Sequence, residues 1–421
     1  SDFFKMIPEA SLVAILIVLF VADFVTAKTE ERKWFNPLAS VLLLLNTFVC
    51  LIPMDAQTAF GGMYVTSSAV DVMKAILSMG TFIVILQSRV WAAKSGKEGE
   101  FYMLIVSTLL GMFAMMSAGN FLMFFLGLEM ASVPLACAVA FDMYRKNSAE
   151  AAAKFILTAT FSSGVMLYGI SFLYGEFGTL YFADITAKMQ ATPLTIMGLV
   201  FFFSGLGFKI SLVPFHFWTA DTYQGAPTTV TGYLSVISKG AAAFTLLSIL
   251  FHVFGGIMEY WHVLLMIVVV LSITIANLFA VRQSELKRFM AFSSISQAGY
   301  IMLTAIGNDW ASSVSALSYY VLIYVVANMA VFTIISVVEQ NNNGKTNIDD
   351  YNGFYQTNPR LSFLMTLAMF SLGGIPPFAG MFSKFFVFMS GVNGANINTT
   401  MGAWAYGVVF IALLNTVISL Y

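Results

Sequence analysis

Four side chains able to take up or release a proton stand inside long apolar runs: Glu129, Lys209, Lys239 and Lys384. One carboxyl and three amines are acid–base groups, so the chemistry open to them is proton transfer. An ionisable residue at membrane depth marks an ion or proton path by default. Glu129, in F-F-L-G-L-E-M-A-S-V-P-L, falls about ten residues into its helix, roughly 15 Å deep in a hydrocarbon core about 30 Å thick. So short a side chain cannot reach either interface from there. Lys239, in Y-L-S-V-I-S-K-G-A-A-A, lies at similar depth with Ser235 one turn before it. The small residues after it let a neighbouring helix or water approach. The alternative for Lys239 is a packing lysine bonded to a carbonyl.

Lys209 and Lys384 each lie beside a helix breaker. Pro214 follows Lys209 by a little over one turn, and Gly373-Gly374-Ile375-Pro376-Pro377 precedes Lys384. Proline lacks an N–H and clashes with the carbonyl four residues back, so the first helix must loosen near Ile210. Loosened backbone is tolerated at membrane depth only against protein or a water-filled cavity. A lysine standing alone would snorkel to the nearer interface. Two lysines beside two breaks argue for a path.

Lys154 is four residues after Glu150 near a helix start, which also fits an ordinary surface pair. His216 and Asp221 follow the first break. Histidine titrates near neutrality and suits proton entry, and a helix cap or loop anchor fits equally well. Asp71 and Lys74, spaced i,i+3, read as structural. Asp23 reads as interfacial, and Trp261 with His262 as interfacial anchors at the start of a span.

These residues need long helices to hold them. The chain has 421 residues, 59% hydrophobic and 10% charged, with mean hydropathy +0.84. Soluble domains carry about 25% charged residues. The expected fold is therefore an all-α polytopic membrane protein. Apolar runs near 8–27, 35–53, 68–92, 100–117, 119–142, 150–174 and 193–215 are long enough to span, as are those near 228–255, 261–281, 285–306, 313–338, 360–391 and 402–421. That is about thirteen transmembrane helices, and the abrupt end at Tyr421 suggests a fourteenth beyond it. The first run lacks a basic start and a small-residue cleavage site, so no cleavable signal peptide is expected.

Basic residues orient the chain. With the N-terminus outside, thirteen of the 20 basic residues fall on the cytoplasmic side, and only Lys5 and Lys188 outside. Lys74, Lys154, Lys209, Lys239 and Lys384 lie within spans. Residues 1–99 form N-terminal helices. Five spans from 100–255 and five from 261–421 form two halves, each with its broken helix fourth. An odd repeat inverts the second copy, and paired broken helices in inverted repeats point to a transport site.

No nucleic-acid footprint and no glycine-rich nucleotide fingerprint is visible, and no strands are expected. Cys50 and Cys137 sit in separate spans as buried, inert thiols. Two cysteines with His216, His252 and His262 do not make a metal or iron–sulfur site. No cofactor is expected in this chain.

The run Gly205–Pro227 contains G-F-K-I-S-L-V-P-F-H-F-W-T-A-D-T-Y-Q-G-A-P, which resembles a hallmark of the antiporter-like membrane subunits of respiratory complex I. F-L-G-L-E-M-A-S-V-P-L, A-E-A-A-A-K-F-I-L, L-K-R-F-M-A-F-S-S-I-S-Q-A-G-Y and S-L-G-G-I-P-P-F-A-G-M-F-S-K-F extend the likeness over essentially the whole chain. The resemblance implies that Glu129 tunes Lys209, Lys239 connects the halves, Lys384 is the terminal proton carrier and Lys154 lies near the entry path. It also implies other membrane subunits as partners, FMN and iron–sulfur clusters in partner subunits, quinone bound elsewhere in the complex, and a bacterial inner membrane. A lysine at 384, rather than a glutamate, and the lack of a long C-terminal extension sort the chain with one of the family's three subunit types. A multisubunit cation/proton antiporter and a non-conducting membrane scaffold are the alternative readings.

Overall fold

Long apolar runs bury themselves as helices because backbone polar groups in hydrocarbon must pair within the segment. The computed structural model describes residues 1–29 and 31–421. It begins with α1 (Ile7–Val25), α2 (Phe35–Cys50), a hairpin of β1 (Gln57–Ala59) and β2 (Tyr64–Thr66), α3 (Ser68–Gln87) and short α4 (Arg89–Ser95). The middle holds α5 (Glu98–Met116), α6 (Phe121–Val139), α7 (Lys146–Phe177), α8 (Phe182–Lys188), α9 (Pro193–Ile210), α10 (Phe217–Gly225), α11 (Thr228–Tyr233) and α12 (Lys239–His252). Then come α13 (Met258–Ala280), α14 (Leu286–Leu303), α15 (Trp310–Asn341), short α16 (Phe354–Thr357), α17 (Pro359–Gly373), α18 (Ala379–Val392) and α19 (Thr400–Leu420).

Among the described residues, eleven helices are long and apolar enough to cross a membrane. Two further apolar runs fold differently. One is the 16-residue α2. The other divides into α17 and α18, of 15 and 14 residues. The hairpin corrects the expectation of no strands: its two three-residue strands pair antiparallel, Gln57 with Thr66 and Ala59 with Tyr64. Backbone bonds from Val65 N to Ser117 O and from Gly119 N to Met63 O tie it to the α5–α6 turn.

Burial grades outward from a central pair. The spans containing α12 and α14 are each 89% buried, against 28% for α1 and 22% for α19. Phe24, Phe161 and Val417 are among the large apolar side chains left on the periphery, as a lipid-facing surface requires. Small residues let α5 and α6 approach closely. A Cβ on Gly111 would lie 2.4 Å from Ala131 N, and one on Gly127 would lie 2.5 Å from Met115 N. That contact positions the α6 turns bearing Glu129 and Ser132.

Candidate functional site: a row of buried lysines

α9 stops at Ile210, as Pro214 requires. Ser211 takes a left-handed φ of +67°, which a non-glycine residue adopts only when its surroundings hold it there. Those surroundings are polar side chains. Thr219 Oγ1 donates to Ser211 Oγ at 2.8 Å, Ser272 Oγ accepts from Val213 N at 2.9 Å, and Trp218 Nε1 donates to Phe208 O at 3.0 Å. One turn above this break Lys209 is buried, and its Nζ donates to Ser132 Oγ of α6 at 3.1 Å. Glu129 lies three residues before Ser132 on the same helix, with a buried Oε1 that has no partner. Among the described residues no ion pair joins Glu129 to Lys209; Ser132 takes the lysine's bond.

Lys239 is fully buried and its Nζ has no hydrogen-bond partner among the described residues. It opens α12 directly after a π-helical stretch, Leu234–Ser238. Such wide turns expose main-chain groups inside a continuous helix and occur often at functional sites. Polar side chains gather on the stretch. Asn328 Nδ2 donates to Ser235 Oγ at 2.7 Å, Ser294 Oγ to Ser235 O at 3.4 Å, and Tyr324 Oη to Ser294 Oγ at 3.0 Å. The Lys239 ammonium sits 5.5 Å from the Tyr223 ring centroid, a modest cation–π contact. The alternative of a lysine bonded to a carbonyl is not what forms.

At the second break α17 ends on Gly373, and Gly374 takes a φ of +80°, which only glycine adopts freely. Pro376 and Pro377 lie on the exposed side of the break. Lys384, on the first turns of α18, is buried. Its Nζ donates to the released carbonyl of Gly373 at 3.3 Å and lies 4.5 Å from the Tyr300 ring centroid. Nearby, Gln297 Nε2 donates to Leu372 O at 3.1 Å and accepts from Tyr320 through its other amide atom. Thus α14 and α15 supply polar groups to the π-helical stretch before Lys239 and to the break beside Lys384. The two breaks differ: Lys384 bonds the broken backbone, and Lys209 bonds a neighbouring helix.

A charged network lies on α7, α10 and α14. Lys154 Nζ reaches Glu150 at 2.8 Å and Asp221 at 2.7 Å, and Arg288 Nη1 reaches the other Asp221 oxygen at 2.6 Å. The anticipated i,i+4 pair forms and extends into a bridge across α7, α10 and α14. These side chains are 30 to 63% exposed, so each pair alone contributes little to stability. The Lys154 hydrogen bond, with the Arg288 bond, holds the Asp221 carboxyl below the usual carboxylate range. His216 occupies the N-cap position of α10 without capping it through its side chain. Its Nδ1 is buried and unpartnered, and burial lowers the imidazole's affinity for a proton.

Several residues depart from expectation. Trp261 and His262 are buried inside the bundle, with Trp261 Nε1 donating to Phe254 O at 3.0 Å, and are not interfacial anchors. Cys50 is buried as expected, and Cys137 is exposed on the periphery. Lys287, one of the thirteen basic residues assigned to the cytoplasmic side, is buried with its Nζ on Ala226 O at 2.6 Å. Lys74 pairs at 2.5 Å with Glu9 of α1, a residue singled out by no motif. Tyr223, Gln297, Tyr320, Tyr324 and Asn328 were also missed, because neutral polar residues in apolar helices give no signal until tertiary packing brings them together.

A multi-pass helical bundle holding interrupted helices and buried lysines belongs architecturally with membrane ion carriers. More specifically, residues 118–411 match the family described as NADH:quinone oxidoreductase/Mrp antiporter, TM, and the chain belongs to that family. It is 57% identical over 98% of its length, and 86% of the relative's, to NADH-quinone oxidoreductase subunit N of Phocaeicola vulgatus. It is 49% identical over its whole length, and 86% of the relative's, to the protein of that name in Azobacteroides pseudotrichonymphae. A chain in the solved respiratory complex I of Thermus thermophilus with bound aureothin superposes with TM-score 0.80 at 30% identity, covering 98% of this chain and 87% of that one. The Mrp complex of a Dietzia species matches at TM-score 0.79 and 19% identity, over 98% and 79% of the two chains, a likeness of fold alone.

Proposed function

We propose that this chain is the antiporter-like subunit N of a bacterial NADH-quinone oxidoreductase and moves protons through the row Lys209, Lys239 and Lys384. The observation that carries the reading is that Lys209, Lys239 and Lys384 are buried within apolar helices beside a helix interruption or a π-helical stretch, none ion-paired to a carboxylate among the described residues. A buried lone ammonium costs several kcal/mol, so each amine exchanges its proton readily when a neighbour's charge changes. Lys154, Asp221 and His216 form the entry side, Glu129 sets the charge balance at Lys209, Lys239 passes protons between halves, and Lys384 delivers them. Pro214, Gly374, Pro376 and Pro377 make the breaks that hold the amines beside polar groups.

In this reading the halves 100–255 and 261–421 are inverted copies behind the N-terminal helices 1–99. The chain lies in the inner membrane with its N-terminus outside. It is part of a translocase but performs no redox chemistry, and FMN and iron–sulfur clusters belong to partner subunits. Quinone is reduced elsewhere in the complex, and the bundle is coupled to that step through the neighbouring membrane subunits. The test is proton pumping measured alongside quinone reduction in assembled complex. Lys209→Ala is expected to abolish this subunit's proton movement while assembly survives. Unchanged pumping would leave a non-conducting scaffold.

A further inference from the structure

The geometry points to a second proton-holding site, separate from the lysine row, in which Glu9, Asp71, Lys74 and Tyr64 hold one proton more than their ion pair needs. Lys74 is fully buried; its Nζ donates to Glu9 Oε1 at 2.5 Å and to Tyr64 Oη at 3.1 Å. Tyr64 Oη in turn donates to Glu9 Oε2 at 3.0 Å. That triad is neutral and its carboxylate oxygens are both satisfied. Asp71 is outside it. Although only one turn from Lys74, it makes no ion pair among the described residues. Its Oδ1 accepts from Thr66 Oγ1 at 3.1 Å, and its Oδ2 is buried without a partner. The residue is only 6% exposed.

Two carboxyl groups therefore share one cation. Among the described residues the nearest further charges are Asp2 and Lys5, on the turn before α1, which pair with each other at 3.4 Å and bond the hairpin at Phe60 N and Thr58 O. Of the elements packed on α1 and α3, α2 offers Asn46 and Cys50, and α5 offers Phe113, whose ring lies 5.6 Å from the ammonium. α11 carries no charged residue and α15 none from Trp310 to Val325, while α12 opens with Lys239, next to Gly240, whose Cβ would lie 3.5 Å from Leu77 Cδ2, six residues along α3 from Asp71, and ends at the exposed His252. An ionised carboxylate so placed is strongly disfavoured. Its first-turn position on α3 favours the charged form, but the hairpin covers that helix end and excludes the water that would solvate it. Protonating Asp71 restores neutrality, and the added proton lies on the oxygen that lacks a partner. A metal cation would need several oxygen ligands; here one carboxyl oxygen is free, with the unpartnered Ser117 Oγ on the adjoining turn. The binding step is simple: a hydronium ion from the bulk gives one proton to an Asp71 oxygen lone pair and is left as water, and no bond to carbon changes.

Infrared difference spectra of the assembled complex, recorded at neutral pH in H2O and D2O, test this. The parent is expected to show a protonated-carboxyl C=O band that is lost in Asp71→Asn and kept in Glu129→Gln. Thr66→Val removes the one hydrogen bond to that C=O among the described residues, so the band should move to higher frequency. This second variant decides the matter if Asp71→Asn fails to assemble. Exchanging potassium for sodium should leave the band in place. The proposal is overturned if no carboxyl band is lost in Asp71→Asn or shifted in Thr66→Val, or if sodium abolishes the band, which would make the occupant a cation.

Discussion

Lys209 donates to Ser132 at 3.1 Å, one turn along α6 from the unpartnered carboxyl of Glu129. The hydroxyl holds the amine within the field of the acid without closing an ion pair. A direct contact would trap the proton on the lysine, whereas a neutral intermediary leaves it free to move. Ser132→Ala should therefore keep assembly and lower pumping about tenfold, the loss of one hydrogen bond to a charged group, roughly 1.5 kcal/mol. Glu129→Ala should reduce pumping severely and Glu129→Asp less. Pumping at the parental rate in Glu129→Ala, with Lys209→Ala inactive, would mean that the two act independently.

Among the described residues Lys239 has neither hydrogen bond nor ion pair. Replacing an unpaired buried ammonium by an apolar side chain of similar volume removes a desolvation penalty. Lys239→Met should stabilise the subunit by about 1–4 kcal/mol while stopping proton movement. Thermal unfolding of the complex and pumping, read on the same preparation, check both halves of this expectation. A destabilised Lys239→Met would mean that the amine has a structural role.

Gly374 turns the second break in a left-handed conformation, and a Cβ there would lie 3.0 Å from Lys384 Cδ. Gly374→Ala should cost about 1–2 kcal/mol for the backbone alone. It should also displace Lys384 from Gly373 O, so pumping should fall more than stability does. Gly407, whose Cβ would meet nothing within 4 Å, is the matched control, and Gly407→Ala should leave both unchanged.

Asp221 links Lys154 to Arg288 with its carboxyl held below the usual range. The sign follows from linkage: a carboxylate depressed on folding adds stability above its unfolded value, about 3.9, and loses it as pH falls through the lower folded value. The stability difference between parent and Asp221→Asn should be constant from pH 7 to about 5 and vanish only below about 4. A difference that grew on acidification would contradict the ion-pair assignment.

Orientation has its own test. Cysteines at Asp55, in the connection just before the hairpin, and at Lys345, after α15, replace exposed residues. They should react with a membrane-impermeant thiol reagent from opposite faces, Asp55→Cys from outside. Labelling of both from one face would overturn the N-terminus-outside arrangement.

The amino-acid order alone determined that the chain is a membrane bundle, since apolar runs of spanning length admit only helices. It also located both helix interruptions, because Pro214 and the Gly-Gly-Ile-Pro-Pro segment forbid continuous bonding locally. Glu129, Lys209, Lys239 and Lys384 were legible for the same reason: a charge in an apolar run is conspicuous without knowing its neighbours. Partners were not legible. Only packing decided that Lys209 meets Ser132, that Lys384 meets the Gly373 carbonyl, and that Lys239 follows a π-helical stretch and bonds nothing. Only packing brought Glu9 across 65 positions to Lys74, and folded the connector before α3 into a hairpin over them. Trp261 and His262 looked like interface residues by position, yet the neighbouring helix ends enclose them. Hydropathy reports how much a segment must be buried; which side chains then share a desolvated space depends on helix rotation and crossing, which long-range contacts set.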